Sequence, residues 1–225
     1  TFSSVLNPPG ELEMARTMAR DLGVPQMTVD FYPLELPEIK NNTSDRCYFC
    51  KAALARLLWE AAAKNDSGPV IEGSHAGDAR TFRPGRKALI EAGIRSPLAE
   101  AGLEKIEIRA LSRDLGLANW DRPSSACLAA RFPYHTELTL ENLGAIYRAE
   151  AILTREGLAG VRARFQGETL RLEPPPELFP RLVASPLREQ LVQDLSDLGF
   201  RFITMDLAGY RSGVFDLPAA EVDHA

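Results

Sequence analysis

Leu12, Ala15, Met18, Ala19 and Leu22 recur at intervals of three and four, the spacing that lines one face of an α-helix. A helix is therefore predicted over 11–22, with Gly23 as its stop. Ahead of it, the β-prone run Thr1–Leu6 leads through Asn7, Pro8 and Pro9. Met27–Phe31 reads as a strand. After a proline-rich connector, Thr43 or Ser44 can cap a second helix whose apolar face includes Leu54, Leu57, Leu58 and Ala61. Pro69–Ile71 gives a further short strand. Helices alternating with short apolar strands over roughly 1–120 predict an α/β domain with a parallel sheet.

From about Leu138 the rhythm changes. The pattern predicts a helix over 140–156, a hairpin over 161–172 that turns at Gly167, a helix over 186–198 and a strand over 200–206. That order predicts a smaller α+β unit. The expected boundary lies near Pro133–Thr136, which divides the chain into domains 1–135 and 136–225.

Composition narrows the class. The 225 residues carry 31 acidic and 26 basic side chains, a net charge of −5, and are 45% apolar and 25% charged. These proportions exclude a collagen, a coiled-coil rod or a disordered tail as the whole chain. No apolar run approaches the ~18 residues of a membrane span, so no membrane is expected as partner. The acidic balance argues against a sequence-independent nucleic-acid binder. Residues 1–10 show neither a charged leader nor a long apolar core, and the three cysteines cannot all pair, so the expectation is a cytoplasmic protein. Thr1 in place of methionine gives the further expectation that the sequence opens partway through a domain.

The sharpest chemical signal is Cys47-Tyr48-Phe49-Cys50, placed in the first turn of the predicted second helix. Residues three apart share a helical face, and the positive end of a helix favours thiolate over thiol, which suits metal ligation as well as redox chemistry. Cys127 lies far along the chain in the loop-like Asp121-Arg122-Pro123-Ser124-Ser125-Ala126-Cys127. It can be a buried small hydrophobe, part of a zinc site completed by His75 or His135, or the third ligand of a 4Fe-4S cluster with one open iron. Spacing does not choose among these.

Arg162 and Arg164, two apart on a predicted strand, point to one face. Neighbouring guanidinium groups repel unless an anion lies between them, either a bound phosphate or carboxylate or an acidic neighbour such as Glu173. Arg131 and Arg211 are further cations in loop-like segments. Asp78 follows the predicted strand that ends at Glu72-Gly73, at a position that suits a metal-bound nucleotide or a helix cap. Neither a GxxxxGK[ST] loop nor a GxGxxG fingerprint occurs.

Taken in order, Asp45-Arg46-Cys47-Tyr48-Phe49-Cys50-Lys51, Phe82-Arg83-Pro84-Gly85, Asn119 through Cys127, Arg131-Phe132-Pro133-Tyr134, then Arg162, Arg164 and Gly209–Gly213 resemble the LarE family of ATP-dependent sulfur transferases. That resemblance implies a PP-loop ATP pyrophosphatase domain carrying a smaller α+β domain. It implies an enzyme in which ATP, with Mg2+, adenylates a carboxylate of pyridinium-3,5-biscarboxylate mononucleotide. A sulfur nucleophile from a sulfide or persulfide donor then displaces AMP, as a step in nickel-pincer cofactor synthesis. Arg162, Arg164 and Arg211 would grip the substrate, with Arg131 helping and Glu150 lining the site; Asp78 would face the magnesium nucleotide. Where some members sacrifice the sulfur of one cysteine, this sequence has Ala126. The resemblance is thus to the three-cysteine type, in which Cys47, Cys50 and Cys127 hold a 4Fe-4S cluster.

The family also implies a homo-oligomer assembled through the second domain. Its SGGxDS loop would lie before Thr1, Thr81 stands where an acidic residue is common, and Ala130 and His135 replace the commoner Ser and Gly. Two other functions fit parts of the sequence: a tRNA-thiolating enzyme of the same superfamily, and a zinc-stabilised binding module without catalysis.

Overall fold

The computed structural model describes residues 1–80, 83–122 and 125–211. The chain forms two compact units, one of 45–124 and one that joins 1–44 to the segment from 125 onward.

In the discontinuous unit, β1 (Phe2–Ser3) and β2 (Val29–Asp30) pair in parallel, joined by helix α1 (Glu11–Asp21). The expected strands at 1–6 and 27–31 are thus present but cut to two residues each. Asn7, Pro8 and Pro9 break the first one, and β2 gives way to the proline-led turn Pro33–Glu35 and the short helix α2 (Pro37–Lys40). Backbone bonds tie this part to the later segment: Leu128 N–H donates to Leu6 C=O at 2.9 Å, and Leu138 N–H to Lys40 C=O at 2.7 Å. Asn42, fully buried, adds a side-chain bond to Pro133 C=O at 2.8 Å.

The later segment follows the predicted order. For α7 the bounds are Leu140–Arg155, and the N-cap oxygen of Thr139 accepts from Asn142 N–H at 3.1 Å. Two hairpin strands, β3 (Arg162–Gln166) and β4 (Thr169–Glu173), turn at Gly167-Glu168, with Gly167 at φ 64°. The short α8 (Phe179–Val183) and then α9 (Leu187–Ser196) return the chain to β5 (Phe202–Met205), which lies parallel to β4 in a sheet ordered β3-β4-β5. Leu143, Ile146, Ala149 and Leu153 recur along α7 and are buried with Ala163, Leu170 and Leu172 of the sheet. Phe132, Phe165 and Phe200 continue that core as ring pairs with centroids 5.0 and 6.3 Å apart.

In the other unit the long α3 (Arg46–Lys64) packs on α4 (Pro84–Glu91) around Ala55, Leu89 and Ile94. Asp45 stands at its N-cap, just past the expected Thr43 or Ser44, and gives no side-chain cap bond. Short helices α5 (Pro97–Glu100) and α6 (Lys105–Asp114) follow; Glu104 and Glu107 form a capping box at the start of α6. The strand expected at 69–71 is a single parallel bridge between Ile71 and Arg95. Gly68 and Pro69 before it and Gly73 after it leave too short a run to form a ladder. Among the described residues no helix is long and apolar enough to cross a membrane.

Candidate functional site

The chemistry-bearing residues fall into two groups, one in each unit. In the discontinuous unit they surround the one-turn 3-10 helix Leu128–Arg131, which has Cys127 at its N-cap. Arg131 is 1% exposed, and its guanidinium donates from Nε and Nη2 to the two oxygens of Glu150 at 2.7 and 3.1 Å. Its Nη1 reaches Ala126 C=O at 3.3 Å. Glu150 projects from α7 and also accepts from the Ala163 N–H of β3 at 3.3 Å. One carboxylate therefore joins a turn, a helix and a strand.

A second ion-pair system lies across the hairpin. Its two-residue turn sets Arg164 directly opposite Arg171, and Arg162 opposite Glu173. Like charges facing each other across strands repel, but Glu173 is fully buried beside them and accepts from both. Arg164 Nε donates to its Oε2 at 2.8 Å and Arg171 Nη2 to its Oε1 at 2.7 Å. Arg164 Nη1 also donates to Ala130 C=O. The turn that bears the exposed Cys127 is thus held at Ala126 by Arg131 and at Ala130 by Arg164. Arg162 is half-buried and stacks over the Tyr210 ring, 5.4 Å from its centroid. Next to that ring residue, Arg211 keeps a buried Nε with no hydrogen-bond partner among the described residues.

The expected substrate residues of this unit are therefore brought together in two subsets. Arg131, Glu150 and Arg164 converge on the Cys127 turn, and Arg162 and Arg211 flank Tyr210. Charge balance within the first subset is met by protein carboxylates. Sequence reasoning did not single out Arg171, and it weighed Glu173 only as an acidic neighbour. A signal for both was available: once the hairpin turns at Gly167-Glu168, its register places 164 against 171 and 162 against 173.

In the 45–124 unit, Cys47 and Cys50 lie in the first turns of α3 as expected, both half-buried. Pro84 opens α4 and Gly85 follows it against this end of α3: a Cβ on Gly85 would fall 3.0 Å from the Cys47 carbonyl oxygen and 2.8 Å from Lys51 Cγ. Glycine at that position thus lets two backbones meet at the cysteine turn. Between the cysteines, Tyr48 donates its hydroxyl to Glu91 Oε2 at 2.7 Å. That hydrogen bond and the adjacent negative charge hold the Tyr48 phenol above its ordinary pKa.

Asp78 lies in the 3-10 turn Ala76–Arg80 and is buried. It accepts from the His75 N–H at 3.0 Å and faces His75 Nε2 at 3.2 Å and Arg83 Nη2 at 3.1 Å. Thr81, Phe82, Pro123, Ser124, Ser212 and Gly213, all quoted in the family resemblance, lie outside the described residues.

Two thiols one helical turn apart suit two legs of a thiolate-bound metal or cluster; the third thiol belongs to the other unit. Among the described residues, no group of three or more His, Cys, Asp or Glu side chains is gathered so that it could hold a metal ion.

No known family model matches the chain. It is 40% identical over 205 residues to an uncharacterized protein of Synechocystis, spanning 91% of this chain and 76% of the relative. It is 38% identical over 205 residues to the pyridinium-3,5-bisthiocarboxylic acid mononucleotide synthase of Lactiplantibacillus plantarum, spanning 90% of this chain and 73% of that protein. A more distant similarity, 26% over 179 residues, links it to an uncharacterized protein of Methanocaldococcus jannaschii, across 80% of this chain and 69% of the relative.

Proposed function

Because the chain belongs to the LarE family, that of the pyridinium-3,5-bisthiocarboxylic acid mononucleotide synthases, we propose that it is a sulfur-inserting enzyme of nickel-pincer cofactor synthesis. The observation that carries this reading is the 38% identity to the named synthase over 90% of the chain. The substrate is a pyridinium mononucleotide bearing ring carboxylates, and the product is the corresponding thiocarboxylate.

The chemistry needs two steps, because a carboxylate oxygen is a poor leaving group. A carboxylate oxygen of the substrate attacks the α-phosphorus of magnesium-bound ATP, forming an acyl adenylate and releasing pyrophosphate. Hydrosulfide then adds to the acyl carbon, AMP leaves with the electron pair of the broken C–O bond, and loss of the S–H proton gives the thiocarboxylate. Adenylation belongs to the PP-loop domain over 1–135, with Asp78 on the nucleotide side, and substrate binding and assembly into a homo-oligomer belong to 136–225.

Arg162 and Arg211 grip the anionic groups of the substrate. Cation stacking on Tyr210 supports Arg162 in that role, and the unsatisfied buried Nε supports Arg211. Arg131, Arg164 and Glu150 bound the same site and fix the turn from which Cys127 projects. A 4Fe-4S cluster held by Cys47, Cys50 and Cys127 would supply an iron site able to carry sulfide; two cysteines one helical turn apart on α3 support that reading.

Incubation of the protein with the biscarboxylate mononucleotide, ATP, Mg2+ and sulfide under anaerobic conditions tests the reading. Substrate-dependent release of AMP and pyrophosphate is expected. ATP turnover that is absent, or that yields ADP, counts against it.

A further inference from the structure

Beside the cysteine helix, the N-cap residue Arg83 and Arg86, Lys87 and Ile90 of α4 follow at intervals of three, one and three, the spacing of a single helical face. That face lines an open cleft of about 370 Å³ whose other charged walls are Asp78 and Glu91. Both carboxylates are already engaged. Asp78 is held by His75 and Arg83, and Glu91 accepts from the Tyr48 hydroxyl.

Lys87 Nζ stands 3.8 Å from Glu91 and 5.8 Å from the centroid of the Tyr48 ring, so it is oriented toward the cleft wall without a close hydrogen bond. Arg86 is half-buried, and among the described residues no carboxylate forms an ion pair with it. Asp78 pairs with Arg83 and Glu91 lies near Lys87, so three cations against two carboxylates leave the cleft one positive charge in excess, at Arg86.

We propose that this cleft is a binding site for a small tetrahedral oxyanion, with Arg86 and Lys87 as its principal ligands. A guanidinium fork matches two oxygens of such an anion, and an ammonium beside it supplies a point charge. Two sources carry this chemistry: a phosphate group and a sulfur oxyanion such as thiosulfate. The site stands on the cleft and its cations and does not depend on the thiocarboxylate reading.

Calorimetric titration of the protein with inorganic phosphate and, separately, with sodium thiosulfate in chloride buffer tests the proposal, alongside Arg86→Gln, Lys87→Gln and the control Arg56→Gln. Arg56 sits on α3, exposed and paired with Glu60. Saturable binding of at least one anion is expected, weakened about tenfold or more by Arg86→Gln and by Lys87→Gln and unchanged by Arg56→Gln. Tighter phosphate binding identifies a phosphate source, and tighter thiosulfate binding a sulfur oxyanion. No saturable binding of either anion at millimolar concentration overturns the proposal. Binding that Arg86→Gln leaves intact, or that Arg56→Gln weakens equally, overturns it too. Far-ultraviolet dichroism of each variant separates lost binding from lost folding.

Discussion

Arg131 and Glu150 meet through two hydrogen bonds of 2.7 and 3.1 Å, with side chains only 2% and 8% exposed. Burying this pair takes two charges out of water, and the cost is offset only while both partners remain. Removing one leaves the other as an uncompensated buried charge. Glu150→Ala is therefore expected to destabilise the protein by about 3–5 kcal/mol in urea unfolding, and the double variant Glu150→Ala, Arg131→Met by clearly less than that.

Arg164 joins Glu173 to the Cys127 turn, so the two ends of one guanidinium do different work. Replacing it with Met keeps the aliphatic stem but frees the Ala130 carbonyl and leaves Glu173 with Arg171 alone. Cys127 is exposed already, and loosening its turn is expected to raise its rate of reaction with a thiol reagent severalfold. An unchanged rate for Cys127, followed in a variant lacking Cys47 and Cys50, contradicts the positioning role assigned to Arg164.

Close approach at Gly85 gives a third test. A methyl group there would press on the Cys47 carbonyl oxygen, which is backbone, and on Lys51 Cγ, which can move. Because the backbone contact cannot yield without shifting α4, Gly85→Ala is expected to cost about 1–3 kcal/mol. Chemical denaturation measures it, and a loss below about 0.5 kcal/mol would show that the helices separate without penalty.

How much of this was readable from sequence differs from element to element. Helical spacing located α1, α3, α7 and α9, and the CxxC pair stands in the first turns of α3 as its pattern required. Strand length was less legible, because the flanking Gly and Pro residues that bounded 1–6 and 69–71 also cut their ladders short. The short α4, α5 and α6 gave too few apolar repeats to stand out beside their loops. Arg162 and Arg164 looked alike on one strand, yet the first stacks on Tyr210 and the second is buried on Glu173. Alternation fixes a face, but the hairpin register and the residues packed above it decide what each side chain meets there.

The Tyr48 hydroxyl supplies a pH-dependent prediction. Glu91 accepts its proton-bearing bond and adds a nearby negative charge, both of which favour the neutral phenol and raise its pKa. With the folded value above the unfolded one, this interaction contributes stability below the ordinary phenol pKa of about 10 and loses it as pH rises through the folded value. Ultraviolet titration is expected to show one late-ionising tyrosine that moves to lower pH in Glu91→Gln. A tyrosine spectrum that Glu91→Gln leaves unchanged contradicts the assignment.

Mass spectrometry of the mononucleotide after anaerobic incubation with the protein, ATP, Mg2+ and isotopically labelled sulfide tests the proposed activity most directly. The expected product has one carboxylate oxygen exchanged for a labelled sulfur atom and forms only when ATP is present. A mononucleotide recovered without sulfur while ATP is consumed would contradict it.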